Sequence, residues 1–247
     1  MRRLIPLLIL SFVVTLASAQ EYPIPPKRTS VAKVGFFAGV TPSLLFVDVA
    51  PINSYLIGAG GAPLNDNGVF LFGGAGAVYI GVVNNLRVGG IGMGGGISSS
   101  SVDSAGIRRD AELDVGFGGV TFEYVLPVVP RLDVAFGAML GWGGIDITIR
   151  RDTGQNLTWE GEWGNFESGN YSTNITRILS GSYFVWMPTV NVEYAVLGWL
   201  AIRVGGGYVG MSAPSWDVDG KYDLVGVPSS INGNGFIING GIFVGTF

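Results

Sequence analysis

Eight apolar runs, each punctuated by glycine, follow one another along this chain as far as its C-terminus. We place them at 33–48, 69–83, 85–98, 111–126, 130–149, 181–196, 198–212 and 234–247. Every run is longer than the roughly 9–11 residues that a tilted β-strand needs to cross a bilayer. The pattern therefore predicts about eight long strands.

The connections between these runs alternate in length. Short connections lie at Asn84, 127–129 and Leu197, and long ones span about 49–68, 99–110, 150–180 and 213–233. Short turns at one rim and long loops at the other are typical of outer-membrane barrels. We expect an all-β fold: an antiparallel, up-and-down transmembrane β-barrel of about 8 strands, with short periplasmic turns and long extracellular loops.

Composition supports an exterior that is not mostly in water. Only 13% of residues are charged, against about 25% in a typical globular domain. No apolar run after the N-terminal segment reaches the roughly 18 residues of a transmembrane helix. A closed barrel is the other structure that satisfies every backbone polar group within lipid.

The N-terminus has the pattern of a secretory signal peptide. Arg2 and Arg3 precede an apolar stretch at 4–17, and Ala-Ser-Ala at 17–19 fits a cleavage site. The alternative, a membrane-anchor helix, would contain Pro6 in a short apolar run. We predict a signal peptide at 1–19, a Pro-rich leader at 20–32 and a barrel domain at 33–247.

The sixth run shows the clearest period-two alternation. Phe184, Trp186, Val190 and Tyr194 fall on one face, and ten steps of about 3.3 Å at a tilt of about 40° give a height of roughly 25 Å. This matches an apolar band edged by aromatic residues. The predicted membrane girdle comprises Tyr124, Trp142, Phe184, Trp186, Tyr194, Trp199 and Tyr208.

Two runs change phase at paired glycines. Apolar alternation shifts by one residue at 118–119 in the fourth run and at 143–144 in the fifth. Glycine at a phase shift is typical of a β-bulge, so we expect a bulge at each place. In the last run Phe243 and Phe247 share a face, which predicts a C-terminal signal for the barrel-assembly machinery.

Five charged side chains share the other, inward face near the short turns. They are Arg87, Glu123, Asp133, Glu193 and Arg203. An eight-stranded barrel is just wide enough to be filled by side chains. The five either form one buried, salt-bridged layer that plugs the lumen or are solvated separately at the rim; we favour the layer, because buried charges must be paired.

The loop at 150–180 is the best candidate for a binding surface. It carries four aromatic residues, Trp159, Trp163, Phe166 and Tyr171, among charged residues. Such a loop suits a carbohydrate or protein ligand, unless these aromatics belong to strands that extend above the membrane. The segment at 49–68 is unusually apolar and either folds over the barrel mouth or lies at the membrane interface.

These features together resemble the small outer-membrane β-barrel superfamily, of the OmpA-transmembrane-domain and OmpX type. The resemblance covers about 33–247 and rests on the signal peptide, the eight runs, the short turns at 84–85 and 127–129, and terminal Phe247. Similar hairpin patterns at 122–134 and 192–203 fit hairpin duplication. The resemblance implies an outer-membrane location, with membrane lipid and the barrel-assembly machinery as partners.

Function is less constrained than fold. The chain has no His and no Cys, so an imidazole base and a thiolate nucleophile are excluded, and we expect a non-enzymatic protein without cofactor or metal. Its formal charge is -4, or -6 without the signal peptide, which disfavours nucleic acid. Three roles remain: structural, adhesive or surface-interaction work by the loops; a narrow pore; or a secreted, soluble, self-assembling β-protein.

Overall fold

A computed structural model describes residues 35–81, 83–153, 158–168 and 174–246. Its strands are β1 (Phe36–Val40), β2 (Ser43–Val47), β3 (Val69–Tyr79), β4 (Leu86–Val102), β5 (Arg108–Val129), β6 (Leu132–Asp152), β7 (Ile175–Leu197), β8 (Leu200–Val218), β9 (Tyr222–Asp223) and β10 (Gly235–Gly245). Two helices, α1 (Ala50–Gly58) and α2 (Trp159–Ser168), lie in long connections. Neither helix is long and apolar enough to cross a membrane, and no other such helix occurs in these ranges.

The strands form a single antiparallel sheet that closes on itself. β1 and β2 together form the first position of the ring, because both pair with β3 on one side and with β10 on the other. β10 also pairs with β8 over ten residues, from Gly235↔Val209 to Val244↔Leu200. β9 adds two residues beside the end of β8. The ring therefore has eight positions, which confirms the predicted up-and-down barrel.

The strands are longer than predicted at the long-loop end. β5, β6 and β7 contain 22, 21 and 23 residues, so their walls extend far beyond those of β1, β2 and β10. The pairing continues to Arg108↔Asp152 between β5 and β6 and to Arg151↔Ile175 between β6 and β7. One side of the barrel is therefore tall and the other side is low.

Two short turns lie later in the chain than predicted. Residues 127–129 belong to β5, and the turn is formed by Pro130 and Arg131, which has a φ of 70°. Pro127 has no N–H to donate, and the register shifts between Pro127 and Val129, so the strand accommodates the proline instead of ending at it. The next turn comprises residues 198–199, after Leu197 ends β7.

The two bulges predicted at 118–119 and 143–144 are absent. The β5–β6 register is continuous from Arg108↔Asp152 to Pro127↔Asp133. Leu113 and Phe117 point inward and are buried, whereas Phe122 and Tyr124, further along β5, point outward and are exposed. The backbone keeps its phase and the apolar side chains change faces, which a sequence pattern cannot distinguish from a bulge.

The same reversal occurs in β6. Near the short turns Phe136, Leu140 and Trp142 point outward, whereas near the long loops Ile145 and Ile147 point inward and are buried. The barrel therefore has an apolar belt around its short-turn half and an apolar interior in its long-loop half. On the outside of the tall wall, polar residues replace the belt: Glu112, Asp114, Asp146 and Ser180.

Six of the seven predicted girdle residues lie on the outward face of strands, and Trp199 lies in the turn between β7 and β8. Trp142 and Phe184 are register partners with their rings edge to face at 6.0 Å. Tyr208 contacts Trp186 at 5.9 Å and Phe236 at 5.3 Å between ring centroids. Aromatic side chains thus occur along the belt on neighbouring strands.

Candidate functional site

A buried ionic cluster closes the barrel interior near the short turns. Arg87 on β4 donates from Nε to Glu123 Oε2 on β5 at 2.7 Å, and from Nη1 to both oxygens of Glu193 on β7 at 3.2 and 3.3 Å. Arg203 on β8 donates to the other oxygen of Glu123. All four side chains are buried, and Arg87 is fully inaccessible to solvent. Strands from both sides of the barrel are therefore joined across the lumen.

Neighbouring groups complete this cluster. Asn191 Nδ2 donates to Glu123 at 3.4 Å, and the guanidinium of Arg87 lies 4.6 Å from the ring centroid of Phe37. Asp133, the fifth predicted member, is half-buried opposite Glu193 in the β6–β7 register. The structure thus brings together Arg87, Glu123, Glu193 and Arg203 by direct ion pairs and places Asp133 beside them.

Phe243 completes the floor of the lumen rather than the lipid surface. It points inward and is fully buried, with its ring edge to face with Phe37 at 5.3 Å and 5.7 Å from the Arg203 guanidinium. Its inward position gives the residue a packing role beneath the ionic cluster. Phe247, the other residue of the predicted assembly signal, lies outside the described residues.

Above the ionic cluster lies a small cavity of about 30 Å³, lined by both apolar and polar residues. Thr41, Thr121, Thr189 and Asn191 contribute to its lining. Thr41 Oγ1 and Asn191 Oδ1 have no hydrogen-bond partner among the described protein atoms. A cavity of this size has room for an ordered water molecule, which commonly satisfies such polar groups.

The middle of the lumen is filled by apolar side chains. These buried residues include Leu45, Leu71, Met93, Leu113, Val115, Phe117, Met139, Ile145, Val185, Met187, Val209 and Ile237. They come from every part of the ring, and Leu45, Met139, Val185 and Val209 are fully inaccessible to solvent. This packed core separates the ionic cluster from the long-loop end.

At the long-loop end the tall wall and the low wall enclose an open cavity of about 840 Å³. We call it the mouth cavity. Ile147, Ile149, Leu179 and Trp216 line it from the tall wall. Its volume lies within the roughly 300–1,000 Å³ range of small-molecule sites, which are usually apolar with a few polar groups.

Helix α1 and the segment 224–231 form the other side of the mouth cavity. Ile52 of α1 and Leu64 beyond it are buried in the same cluster as the barrel core. Asn53 fixes this fold-back, since its amide donates to Leu64 O at 3.0 Å and accepts from Leu64 N at 2.7 Å. The apolar segment at 49–68 thus folds over the barrel mouth, one of its two predicted positions.

The top of the mouth cavity is cationic. Arg109 on β5 and Arg151 on β6 are register partners on the inward face, one position above Ala111 and Ile149. Arg109 forms a salt bridge of 2.8 Å with Asp103 in the β4–β5 turn. This guanidinium and the backbone N–H of Ile107 hold the pKa of Asp103 below its usual value, so Asp103 stays anionic.

The predicted loop surface is only partly described. Trp159 and Trp163 lie in α2, both exposed, with their rings edge to face at 5.8 Å. Phe166 belongs to the same helix, and Tyr171 lies outside the described residues. The mouth cavity is lined instead by residues of β5 to β8, α1 and the segment 224–231. The sequence pattern of single strands did not predict that these elements meet.

These features define an antiparallel barrel of the transmembrane type, with an apolar belt, a filled lumen and one open end. No protein-family model and no curated protein matches the sequence.

The chain is similar to several solved structures at low sequence identity. One is Ail, the attachment invasion locus protein of Yersinia pestis, in complex with the heparin analogue sucrose octasulfate: identity is 12%, coverage 86% of this chain and 97% of that chain, and the TM-score 0.38. A second is the outer membrane protein OprG from Pseudomonas aeruginosa, with 8% sequence identity and a TM-score of 0.44. The match covers 85% of this chain and 95% of OprG. A third is a major outer membrane protein from Thermus thermophilus, with 9% sequence identity and a TM-score of 0.42. The match covers 86% of this chain and 98% of that protein. These are outer-membrane β-barrel proteins, the class that the sequence resembles.

Proposed function

We propose that this chain is a sealed outer-membrane β-barrel that binds an apolar ligand in its mouth cavity, which faces the cell exterior. The reversal of apolar side chains along β5 and β6 carries this proposal. Ile147 and Ile149 point inward and lie above the apolar belt. Contact with lipid therefore does not explain why these residues are apolar. A cavity of about 840 Å³ opens between these residues and helix α1.

The belt supports insertion in the outer membrane. Large apolar side chains are exposed around the ring, among them Phe36, Phe70, Phe72, Phe122, Phe136, Leu140, Trp142 and Phe236. A contiguous apolar surface of this kind is unfavourable in water and typical of a lipid or protein interface. It favours the membrane protein over a soluble, self-assembling β-protein. Export by cleavage of 1–19, outside the described residues, remains part of the proposal.

The filled lumen supports a binding protein over a narrow pore. Conduction needs a continuous polar path, yet the fully buried Arg87 and the apolar residues Met139 and Val185 lie across it. Moving the ionic cluster aside would separate buried charges, which costs several kcal/mol. The proposed role is a surface interaction at the mouth of the barrel, with no catalytic step.

Reconstitution in planar lipid bilayers tests the seal. We expect no steady unitary conductance above that of a protein-free bilayer, because the ionic cluster and the apolar core occlude the lumen. A general porin run under the same conditions verifies that insertion is detectable, and the heat-dependent gel shift of the same preparation verifies folding. Steady open steps would make the protein a pore and remove the proposal.

An uncharged fluorescent probe, N-phenyl-1-naphthylamine, tests binding at the mouth of the amphipol-held barrel. We expect saturable binding that Ile149→Trp reduces at least about fivefold, since the indole occupies the cavity. Thr148→Trp is the matched control, because Thr148 neighbours Ile149 but lies on the outward face. Equal binding by the parent protein and both variants would place the probe elsewhere and contradict the proposal.

A further inference from the structure

The two inward arginines at the top of the mouth cavity are an unfavourable pair by themselves. Arg109 and Arg151 are direct register partners on β5 and β6, so their charges lie side by side. Like charges directly opposite each other destabilise an antiparallel pair. An anion between or above them would remove this repulsion.

Only one of the two arginines has a carboxylate partner among the described residues. Asp103 pairs with Arg109 at 2.8 Å, whereas within the described ranges no salt bridge engages Arg151. Asp110, the carboxylate that contributes to the cavity lining, lies on the outer face of β5 and is held by Arg108 at 2.9 Å. Arg109, Arg151 and Asp103 together therefore carry a net positive charge at the inner rim.

Apolar residues continue directly below Arg151 on the same face of β6. Ile149 and Ile147 follow at successive inward positions, so the lower isoleucine lies about 13 Å from Arg151 along the strand, at about 3.3 Å per residue. Leu179, the register partner of Ile147 on β7, and Trp216 on β8 continue this wall sideways. A cationic rim above a deep apolar wall fits a molecule with an anionic head and a long apolar chain.

Resting on the proposed function, we infer that the mouth cavity binds a long-chain amphiphile with one anionic head group, such as a fatty carboxylate. The head lies at Arg151, and the chain lies along Ile149 and Ile147. Arg109, which forms a salt bridge with Asp103, attracts the anionic head group at longer range. The same salt bridge holds Arg109 in place at the rim.

The ligand enters from water rather than from the lipid. β5, β6 and β7 are hydrogen-bonded to their ends at Arg108, Asp152 and Ile175, which closes the tall wall at the height of the cavity. The outside of this wall carries Glu112 and Asp146, above the apolar belt. A free amphiphile in solution therefore reaches the site directly, and an acyl chain of a bilayer lipid does not.

Titration of the amphipol-held protein with 11-(dansylamino)undecanoic acid and with its methyl ester tests the head-group assignment. We expect Arg151→Gln to weaken binding of the acid about tenfold, as for loss of one charge-assisted hydrogen bond, and to leave the ester unchanged. Arg151→Lys keeps the charge and should restore most of the affinity. Arg108→Gln, which removes an exposed outward arginine, is the matched control and should bind the acid like the parent protein.

The outcomes separate this inference from the proposed function. Equal affinity for acid and ester, unaffected by Arg151→Gln, would overturn the anionic head group while leaving an apolar site. If the protein binds N-phenyl-1-naphthylamine but neither dansyl compound, the long-chain ligand is overturned and the apolar site is retained. If the protein binds none of the three compounds, the proposed binding site in the mouth cavity is itself contradicted. Binding that requires anionic phosphatidylglycerol nanodiscs would overturn delivery from water.

Discussion

Replacement of Glu123 by alanine is expected to lower the free energy of unfolding of the barrel by about 3–5 kcal/mol, the cost of leaving buried charges unpaired. Glu123 is buried and accepts hydrogen bonds from Arg87, Arg203 and Asn191. Its loss leaves Arg203 without its described carboxylate partner and leaves Arg87 with Glu193 alone. Arg87 is fully inaccessible to solvent, so bulk water does not solvate its charge in place of the lost carboxylate.

Urea unfolding in lipid vesicles, followed by the heat-dependent gel shift, measures this effect. The matched control is Glu112→Ala, because Glu112 lies on the same strand but is exposed on the outer face. We expect the control to unfold at the same urea concentration as the parent protein. An unchanged midpoint for Glu123→Ala would mean that the cluster plugs the lumen without stabilising it.

The other members of the cluster should rank below Glu123. Arg203→Ala leaves Arg87 bound to both Glu123 and Glu193, so the remaining charges stay paired. The Glu123→Ala and Arg203→Ala changes should also be strongly non-additive, because the two residues interact directly. A double-mutant cycle with simple additivity would contradict the ion pair.

The ionic cluster was predictable from sequence for a simple geometric reason. Directly around Arg87, Glu123, Glu193 and Arg203 the period of two is uninterrupted, so these four residues could be assigned to one face and one height. Short turns also fix the register between neighbouring strands. What the sequence could not show is which carboxylate each guanidinium contacts across the lumen, since that depends on the curvature of the barrel.

The mouth cavity was not predictable in the same way. At the long-loop end the apolar side chains of β5 and β6 change from the outer to the inner face. Hydrophobicity alone does not say whether Leu113 or Ile145 faces lipid or a filled lumen, so the change looked like a bulge at glycine. The inward position of Phe243 could not be predicted for the same reason, since an aromatic residue in the last strand fits either face.

The glycines of this barrel have two different roles, and the structure separates them. A Cβ added at inward Gly141 would overlap Gly118 O, and it would lie 2.6 Å from the Cα of its register partner Gly119. These are backbone atoms of β5, which cannot move without breaking the ladder. At outward Gly92 an added Cβ meets nothing within 4 Å. Close approach of strands explains the first glycine but not the second.

Gly141→Val is therefore expected to prevent closure of the barrel, at a cost of more than about 3 kcal/mol, above the usual range for overpacking because backbone must shift. Gly92→Val should be neutral or stabilising by up to about 1 kcal/mol, because valine favours strands and loses less backbone entropy on folding. Refolding into lipid vesicles measures both, as the fraction of protein in the compact, heat-modifiable band. Efficient folding of Gly141→Val would show that β5 and β6 can separate at this point. Failure of Gly92→Val would show that the outer glycine surface needs close contact with something outside the barrel.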